Sequence, residues 1–134
     1  DDVTGVEACA LPILMIRGTV TGDREIVIQL EALAADHASV SIQAVVDTGF
    51  NGFLTLPVDL LKTLGAAAAG TRRAELGDGN VVEMDVYFVR IKWHNEDREV
   101  LALQPESTPL VGMSLLWGSR VSFDAQDGGT ATIE

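Results

Sequence analysis

The sequence predicts an all-β protein with one or two short helices, folded as a closed or partly closed barrel. In its 134 residues, β-branched side chains cluster between glycines, as they do in short strands joined by tight turns. Several segments alternate apolar and polar residues with a period of two, which is typical of strands with one buried face. Aromatic residues make up only 5% of the chain, so aliphatic side chains fill most of the core.

The first predicted hairpin leads the chain to the tripeptide Asp47-Thr48-Gly49. Its strands cover residues 25–31 and 39–46, and a polar turn at residues 35–37 joins them. The residues expected on the core face are Ile26, Ile28, Leu30, Val40, Ile42, Ala44 and Val46. The hairpin therefore delivers the tripeptide to the end of a half-buried strand.

A short apolar strand and a helix follow the tripeptide. Residues 53–56 form the strand, and Pro57 opens the helix, where its missing N–H is not needed. Gly65 suits the end of this helix. Residues 66–70 carry only small side chains and are predicted to be a linker.

A second hairpin is predicted around Gly77-Asp78-Gly79-Asn80, because these residues tolerate positive φ. Its strands cover residues 72–76 and 81–89. The alternation of apolar and polar residues changes phase near Phe88. This change predicts either a β-bulge or a strand that is buried on both of its faces at this point.

The last third of the chain contains a strand over residues 98–103 and a loop over 105–109. A short helix over 113–117 follows Leu110-Val111-Gly112. A final hairpin has strands at 121–125 and 130–133, with a turn at Asp127-Gly128-Gly129.

The formal net charge of −11 disfavours nucleic acid and anionic membranes as partners, since both carry negative charge. The apolar run at residues 8–16 is far shorter than the ~20 residues that span a bilayer. Cys9 is the one cysteine, so no intrachain disulfide is possible, and the cytoplasm is the default location. Met15 could be a natural chain start, so the predicted domain covers residues 15–134 and the status of residues 1–14 stays open.

Asp47 is the candidate for chemistry, because an apolar strand runs directly into it. A tripeptide of common residues recurs by chance, and such an aspartate could simply end a strand and cap a turn. Asp78 and Asp127 lie in glycine-flanked turns and are interpreted as turn residues. His37 and His94 are single histidines in polar turns, and no metal site or cofactor is predicted.

Two stretches, residues 44–57 and 110–116, give the tripeptide its context. The first reads Ala-Val-Val-Asp-Thr-Gly-Phe-Asn-Gly-Phe-Leu-Thr-Leu-Pro. Here the chain resembles the retropepsin-like aspartic proteases, in particular their small bacterial and archaeal single-domain members. Phe50 is a departure, since viral members usually have a small residue there. The resemblance follows the order of elements over residues 15–134 and implies a closed β-barrel that is active as a symmetric homodimer.

The resemblance also implies residue roles. Asp47 matches the catalytic aspartate, Thr48 the residue whose hydroxyl bonds across the dimer, and Gly49 the glycine beneath the carboxylates. Leu110, Val111 and Gly112 match the family's segment of two apolar residues and a glycine, which crosses near the strand that carries the catalytic aspartate. The flap that covers substrate corresponds by position to Leu76, Gly77, Asp78, Gly79 and Asn80.

The predicted function is an aspartic endopeptidase that acts on a peptide or protein substrate. Hydrolysis of a peptide bond without a metal needs one group to activate water and another to protonate the amide. Two carboxylates that share a proton do both, and a two-fold axis makes such a pair from one Asp47 per chain. The alternative is a non-catalytic module that binds peptides or dimerises on the same fold.

Overall fold

The computed structural model describes residues 15–75, 78–104 and 108–134, and for Ala74 and Glu75 the backbone alone. These residues form strands β1 (Ile16–Val20), β2 (Ile26–Leu33), β3 (Ser39–Val46), β4 (Leu54–Thr55), β5 (Ala67–Glu75), β6 (Val81–Trp93), β7 (Glu96–Leu103), β8 (Leu110–Val111), β9 (Val121–Phe123) and β10 (Thr130–Ile133). The helices are α1 (Val58–Leu64) and α2 (Met113–Leu116). The predicted all-β class with short helices is confirmed.

The strands form one sheet in the order β5-β6-β7-β4-β8-β3-β2-β1-β10-β9. β6 also pairs with β2, where Ala32 lies opposite Ile91. The pairings therefore run in a circuit from β2 through β3, β8, β4, β7 and β6 back to β2. Such a circuit curls the sheet around one core, while β5 and the β1-β10-β9 group extend beyond it.

The core lies inside this circuit. The residues of β2 and β3 that are buried as predicted are Ile28, Leu30, Ile42 and Ala44. Ile26, Val40 and Val46 are half-buried, because they lie near the ends of their strands. Fully buried side chains from the other strands, from α2 and from the residue after β4 belong to the same core, among them Leu54, Leu56, Ile91, Val111 and Leu115.

Helix α1 begins and ends where the sequence predicts. Pro57 is the N-cap, with extended backbone at φ −68° and ψ 158°. Gly65 ends the helix in the left-handed conformation, at φ 63° and ψ 36°. Its N–H donates to the Lys62 carbonyl (3.0 Å), and the N–H of Ala66 donates to that of Leu61 (3.1 Å). These bonds satisfy two of the last four carbonyls of the helix.

The predicted linker at residues 66–70 is wrong, because β5 begins at Ala67. Ala67 pairs with Phe88 of β6, and the register shifts between Ala68 and Gly70, which has φ 108°. Alanine and glycine have weak strand propensity, so this segment is a strand because β6 offers it a partner. The sequence pattern alone contains no signal for that pairing.

Strand β6 continues to Trp93, past its predicted end at Val89. Val86 and Val89 are both buried while Phe88 is 45% exposed, so the predicted change of phase occurs. The change of phase in β6 lies opposite the irregular register of β5. Of the two predicted causes, a bulge and burial on both faces, the structure shows the irregularity.

Strand β1 was not predicted, and it lies between β2 and β10 in the sheet. Among the described helices, none has the length and apolar character needed to cross a membrane. Residues 1–14, Leu76 and Gly77 of the predicted flap, and residues 105–107 of the predicted loop fall outside the described residues.

Candidate active site

Asp47 follows the last residue of β3, next to the parallel strand β8. Val45 of β3 lies in register with Leu110 of β8. The N–H of Val45 donates to the Pro109 carbonyl and that of Asp47 donates to the Val111 carbonyl, both at 2.9 Å. Because β8 lies between β3 and β4, the Asp47 backbone is held by the centre of the sheet.

The turn after β3 positions the carboxylate. The N–H of Gly49 donates to Asp47 Oδ1 at 2.9 Å, and that of Phe50 donates to the Asp47 carbonyl at 3.1 Å. A Cβ on Gly49 would lie 3.3 Å from Asp47 Oδ1, which is closer than ordinary contact. Gly49 therefore makes room for the carboxylate. Asp47 is half-buried, and Thr48 beside it is exposed.

The chain after this turn is bound to the start of α2. The N–H of Gly112 donates to the Phe53 carbonyl at 3.1 Å, and that of Met113 donates to the Phe50 carbonyl at 2.7 Å. A Cβ on Gly112 would stand 2.3 Å from the Gly52 carbonyl oxygen. The two stretches that carry the family resemblance are therefore in direct contact.

Phe50 has a packing role in this contact. Its ring lies where a side chain on Gly112 or Gly52 would be, since Cβ atoms built there approach ring atoms to 2.5 Å. The bulky residue that departs from viral sequences is thus accommodated by two glycines.

Thr55 is a supporting residue that the sequence analysis missed. It is 5% exposed, and its Oγ1 accepts the Leu110 N–H at 2.9 Å. The same hydroxyl makes a long hydrogen bond of 3.5 Å to the Thr108 carbonyl. The Thr55 hydroxyl therefore links β4 to β8, the strand that pairs with β3. The sequence feature that could have indicated this role is a single threonine among the apolar residues 53–56.

A cleft of about 920 Å³ lies in front of Asp47. Its floor is formed by Val45, Val46, Asp47, Thr48 and Leu110. The rest of the lining comes from the β1–β2 turn, between Val20 and Ile26, and from β9 and the turn that follows it, between Val121 and Asp127. Val111 and Gly112 are buried and do not line the cleft.

These two turns bring charged groups to the cleft that the sequence analysis did not assign to a site, namely Arg24, Glu25 and Asp127. The turn at residues 127–129 was predicted, but not its contact with the β1–β2 turn. The N–H of Val20 donates to the Gly129 carbonyl at 2.8 Å, and that of Gly128 donates back to Val20 at 2.9 Å. Within the described residues, no three His, Cys, Asp or Glu side chains are grouped to hold a metal ion.

The described part of the predicted flap is a turn. Asp78 Oδ1 accepts the Asn80 N–H at 3.0 Å, and Oδ2 accepts from Asn80 Nδ2 at 2.9 Å. Residues 78–80 do not line the cleft in front of Asp47. The structure therefore brings Asp47, Thr48 and Leu110 of the predicted site to one cleft, and the described flap residues 78–80 are not part of its lining.

The fold is similar to that of a retropepsin-like aspartic protease from Rickettsia conorii, known from its crystal structure. The TM-score is 0.57 over 89% of each chain, at 17% sequence identity. The chain therefore has a retropepsin-like fold. The solution structure of the simian foamy virus (mac) protease matches with a TM-score of 0.46 and 20% identity, covering 66% of this chain and 90% of that one. No protein-family model matches the sequence, and no curated protein is detectably similar to it.

Proposed function

We propose that residues 15–134 form one half of an aspartic endopeptidase, completed by a second copy of the chain. The observation that carries this proposal is the half-buried Asp47, fixed at the end of β3 on the floor of a cleft of about 920 Å³. The Rickettsia conorii protein of similar fold is an aspartic protease, which supports the same chemistry.

The proposed reaction uses Asp47 from both chains. Two carboxylates about 3 Å apart cannot both ionise, so the pair holds one proton between them. The ionised group takes a proton from water as that water attacks the peptide carbonyl, and the protonated group supplies a proton toward the leaving amine. The Gly49 N–H on Oδ1 keeps one carboxylate oxygen fixed during these transfers.

The neighbouring residues take supporting roles in this proposal. Thr48 is exposed beside Asp47, where its hydroxyl would bond across the two-fold axis. Leu110 contributes apolar surface to the cleft floor. The hairpin at residues 76–80 would close over an extended peptide and add strand-like hydrogen bonds.

The test is Asp47→Asn, which keeps the shape of the side chain but removes the acid–base group. It should lower kcat/KM for peptide cleavage by about 10²–10⁴-fold or more, the usual contribution of acid–base catalysis. Asp59→Asn on α1 is the matched control, because Asp59 is exposed and does not line the cleft. Thermal unfolding of each variant checks that the fold is kept.

Asp127→Asn distinguishes a shared site from a site within one chain, since Asp127 is a second carboxylate at the same cleft. A loss as large as that of Asp47→Asn would assign the pair to one chain and sink the shared site. Undiminished cleavage by purified Asp47→Asn protein would overturn the endopeptidase assignment itself.

The non-catalytic alternative is tested by binding rather than turnover. A statine-type mimic places a hydroxyl between the two carboxylates, so its affinity should fall sharply in Asp47→Asn. A protein that binds peptides, cleaves none, and binds the mimic equally with and without Asp47 would be a binding module.

A further inference from the structure

A second groove, of about 490 Å³, is separate from the cleft in front of Asp47. It lies where the chain after the Asp47 turn meets β7 and α2, and it shares no described residue with the cleft. The reaction proposed for Asp47 uses none of its side chains. The residues that line it, which define the Arg98 groove, are Asn51, Phe53, Arg98, Met113, Ser114 and Trp117.

Arg98 is fixed in this groove by its place on β7 and by an aromatic ring. Val100, two residues further along β7, and Ile91, which lies opposite Arg98 on β6, are both buried in the core. Arg98 shares their face of the sheet, and it is half-buried there. Its guanidinium carbon lies 5.5 Å from the centre of the Phe53 ring. This distance allows a cation–π attraction, which holds the guanidinium over the ring.

The N–H groups of this guanidinium are available to an anion. A guanidinium held over a ring still presents a fork of donors that matches a carboxylate. Among the described residues, no carboxylate lies within ion-pair distance of Arg98, although the chain contains 20 Asp and Glu. Asp97 and Glu99 belong to the opposite face of β7, because side chains alternate along a strand. The position of Arg98 therefore suits a carboxylate supplied by a ligand.

Trp117 and Met113 give the groove its apolar surface. Trp117 is 78% exposed, more than either Phe88 or Phe123. An apolar side chain that covers it removes both surfaces from water, which is favourable. The volume of the groove lies within the range of about 300–1,000 Å³ that is typical of ligand sites. The groove therefore suits a ligand that places an apolar group beside a carboxylate.

The groove is built on the same turn that carries Asp47. The N–H of Met113 donates to the Phe50 carbonyl at 2.7 Å, and the Ser114 hydroxyl donates to the Asn51 carbonyl at 2.5 Å. Asn51 is four residues from Asp47, so the two Cα atoms are at most about 14 Å apart. An extended peptide covers that distance with roughly four residues. A polypeptide bound at Asp47 is therefore long enough to reach the groove.

We propose that the Arg98 groove is an exosite for the polypeptide substrate and binds an apolar residue that is adjacent to an Asp or Glu. This inference rests on the endopeptidase proposed above. The substrate carboxylate pairs with Arg98, and the apolar side chain packs against Trp117 and Met113. Two observations favour the substrate as occupant: the charge of Arg98 complements a carboxylate, and the groove adjoins the Asp47 turn. An acidic residue about four or more residues from the cleaved bond is then a determinant of specificity.

Binding of two dipeptides tests this ligand chemistry without turnover. Acetyl-Phe-Glu-amide carries both the apolar side chain and the carboxylate, and acetyl-Phe-Gln-amide lacks the charge. NMR titration of the Trp117 indole N–H gives both dissociation constants, and Trp117→Phe identifies the signal. For the wild type, we expect acetyl-Phe-Glu-amide to bind about tenfold more tightly, the effect of a charge-assisted hydrogen bond. In Arg98→Gln this preference should disappear.

Arg17→Gln is the matched control, because Arg17 is exposed on β1 and lines neither the groove nor the cleft. It should keep the tenfold preference. Trp117→Ala, followed through the Arg98 Nε–H signal, should weaken both dipeptides equally, since it removes apolar contact and leaves the cation. Equal affinity of the wild type for both dipeptides would overturn the proposal. So would a Trp117 signal that shifts with protein concentration alone, because it would assign the groove to a second copy of the chain.

Cleavage kinetics test the assignment of the groove to the substrate. A peptide that the wild type cleaves is synthesised with a Phe-Glu pair four residues from the cleaved bond, on each side in turn, and without it. One extended peptide should have a KM about tenfold lower with kcat unchanged, because a contact that is equal in the ground and transition states changes KM alone. Arg98→Gln should lose this gain and Arg17→Gln should keep it. Extensions that leave KM unchanged on both sides would overturn the exosite.

The two proposals fail in different ways. A protein that cleaves no peptide but prefers acetyl-Phe-Glu-amide through Arg98 would contradict the endopeptidase and support the ligand chemistry of the groove. A protease that depends on Asp47, but in which Arg98→Gln binds and cleaves every peptide as the wild type does, would support the endopeptidase and contradict the exosite.

Discussion

Gly112 has no room for a side chain. A Cβ at this position would lie 2.3 Å from the Gly52 carbonyl oxygen and 2.7 Å from that of Phe50. Both are backbone atoms that hold the turn after Asp47, so they cannot move without moving the candidate site. Gly112 is therefore required by close backbone approach, since its φ of −104° is open to any residue.

Gly112→Ala should lower the free energy of unfolding by about 1–3 kcal/mol, the usual cost of overpacking a filled interior. It should also lower peptidase activity, because the segment displaced is the one next to Asp47. Urea denaturation and a cleavage assay measure the two effects. Gly22→Ala is the control for the stability effect, because its Cβ would meet only the Asp127 carboxylate at an ordinary 3.4 Å. Equal stability of the two variants would contradict this account.

Residues of the candidate site could be predicted where they are neighbours in the sequence. Asp47, Thr48 and Gly49 follow one another after an apolar strand, and the structure places all three at one turn. Arg24 and Asp127 could not be assigned, because they reach the cleft only through the pairing of β1 with β10. A pattern of local periodicity contains no information on which distant turns meet.

Elements with their own local signals were predicted well. The bounds of β3 agree with the alternating run at residues 39–46, and those of β10 with the run at 130–133. Pro57 and Gly65 fixed the ends of α1. Elements that depend on a partner were missed: β1 has a weak pattern and lies between β2 and β10, and the alanine-rich start of β5 is a strand because β6 lies beside it.

Gly65 ends α1 in a conformation that residues with a Cβ rarely adopt, at φ 63°. Gly65→Ala should therefore lower the free energy of unfolding by about 1–2 kcal/mol, the cost of the left-handed conformation. A Cβ would also lie 3.1 Å from the Ala35 Cβ. Gly65→Asn is the matched variant, because asparagine tolerates this region better, and its loss should be smaller. Thermal and urea unfolding measure both. A more stable Gly65→Ala protein would show that the helix end can rearrange.

At the scale of the whole molecule, the charge of the chain and the proposed chemistry oppose association. Each copy carries a formal charge of −11, and the shared site would bring two Asp47 carboxylates together. Replacing Asp47 by Asn in one copy removes one of these like charges. A heterodimer of wild-type and Asp47→Asn chains should therefore form at least as readily as the wild-type homodimer.

This preference makes subunit mixing a sharp test of the shared site. Wild-type chains are mixed with a large excess of Asp47→Asn chains and left to exchange, with exchange verified by mass spectrometry of labelled chains. If two Asp47 residues are needed, activity per wild-type chain should fall at least in proportion to the wild-type fraction, because most wild-type chains then have an inactive partner. Dilution of wild-type protein alone should also lower specific activity below the dimer dissociation constant.

An excess of Asp59→Asn chains is the control, since these chains keep Asp47 and form active dimers with the wild type. Their addition should leave activity per wild-type chain unchanged after the contribution of the added chains is subtracted. An enzyme with an independent site in each chain would behave in this way with both variants. Full activity per wild-type chain in the presence of excess Asp47→Asn, with exchange complete, would rule out a site built from two chains. A fall specific to Asp47→Asn would show that each active site contains two copies of this carboxylate.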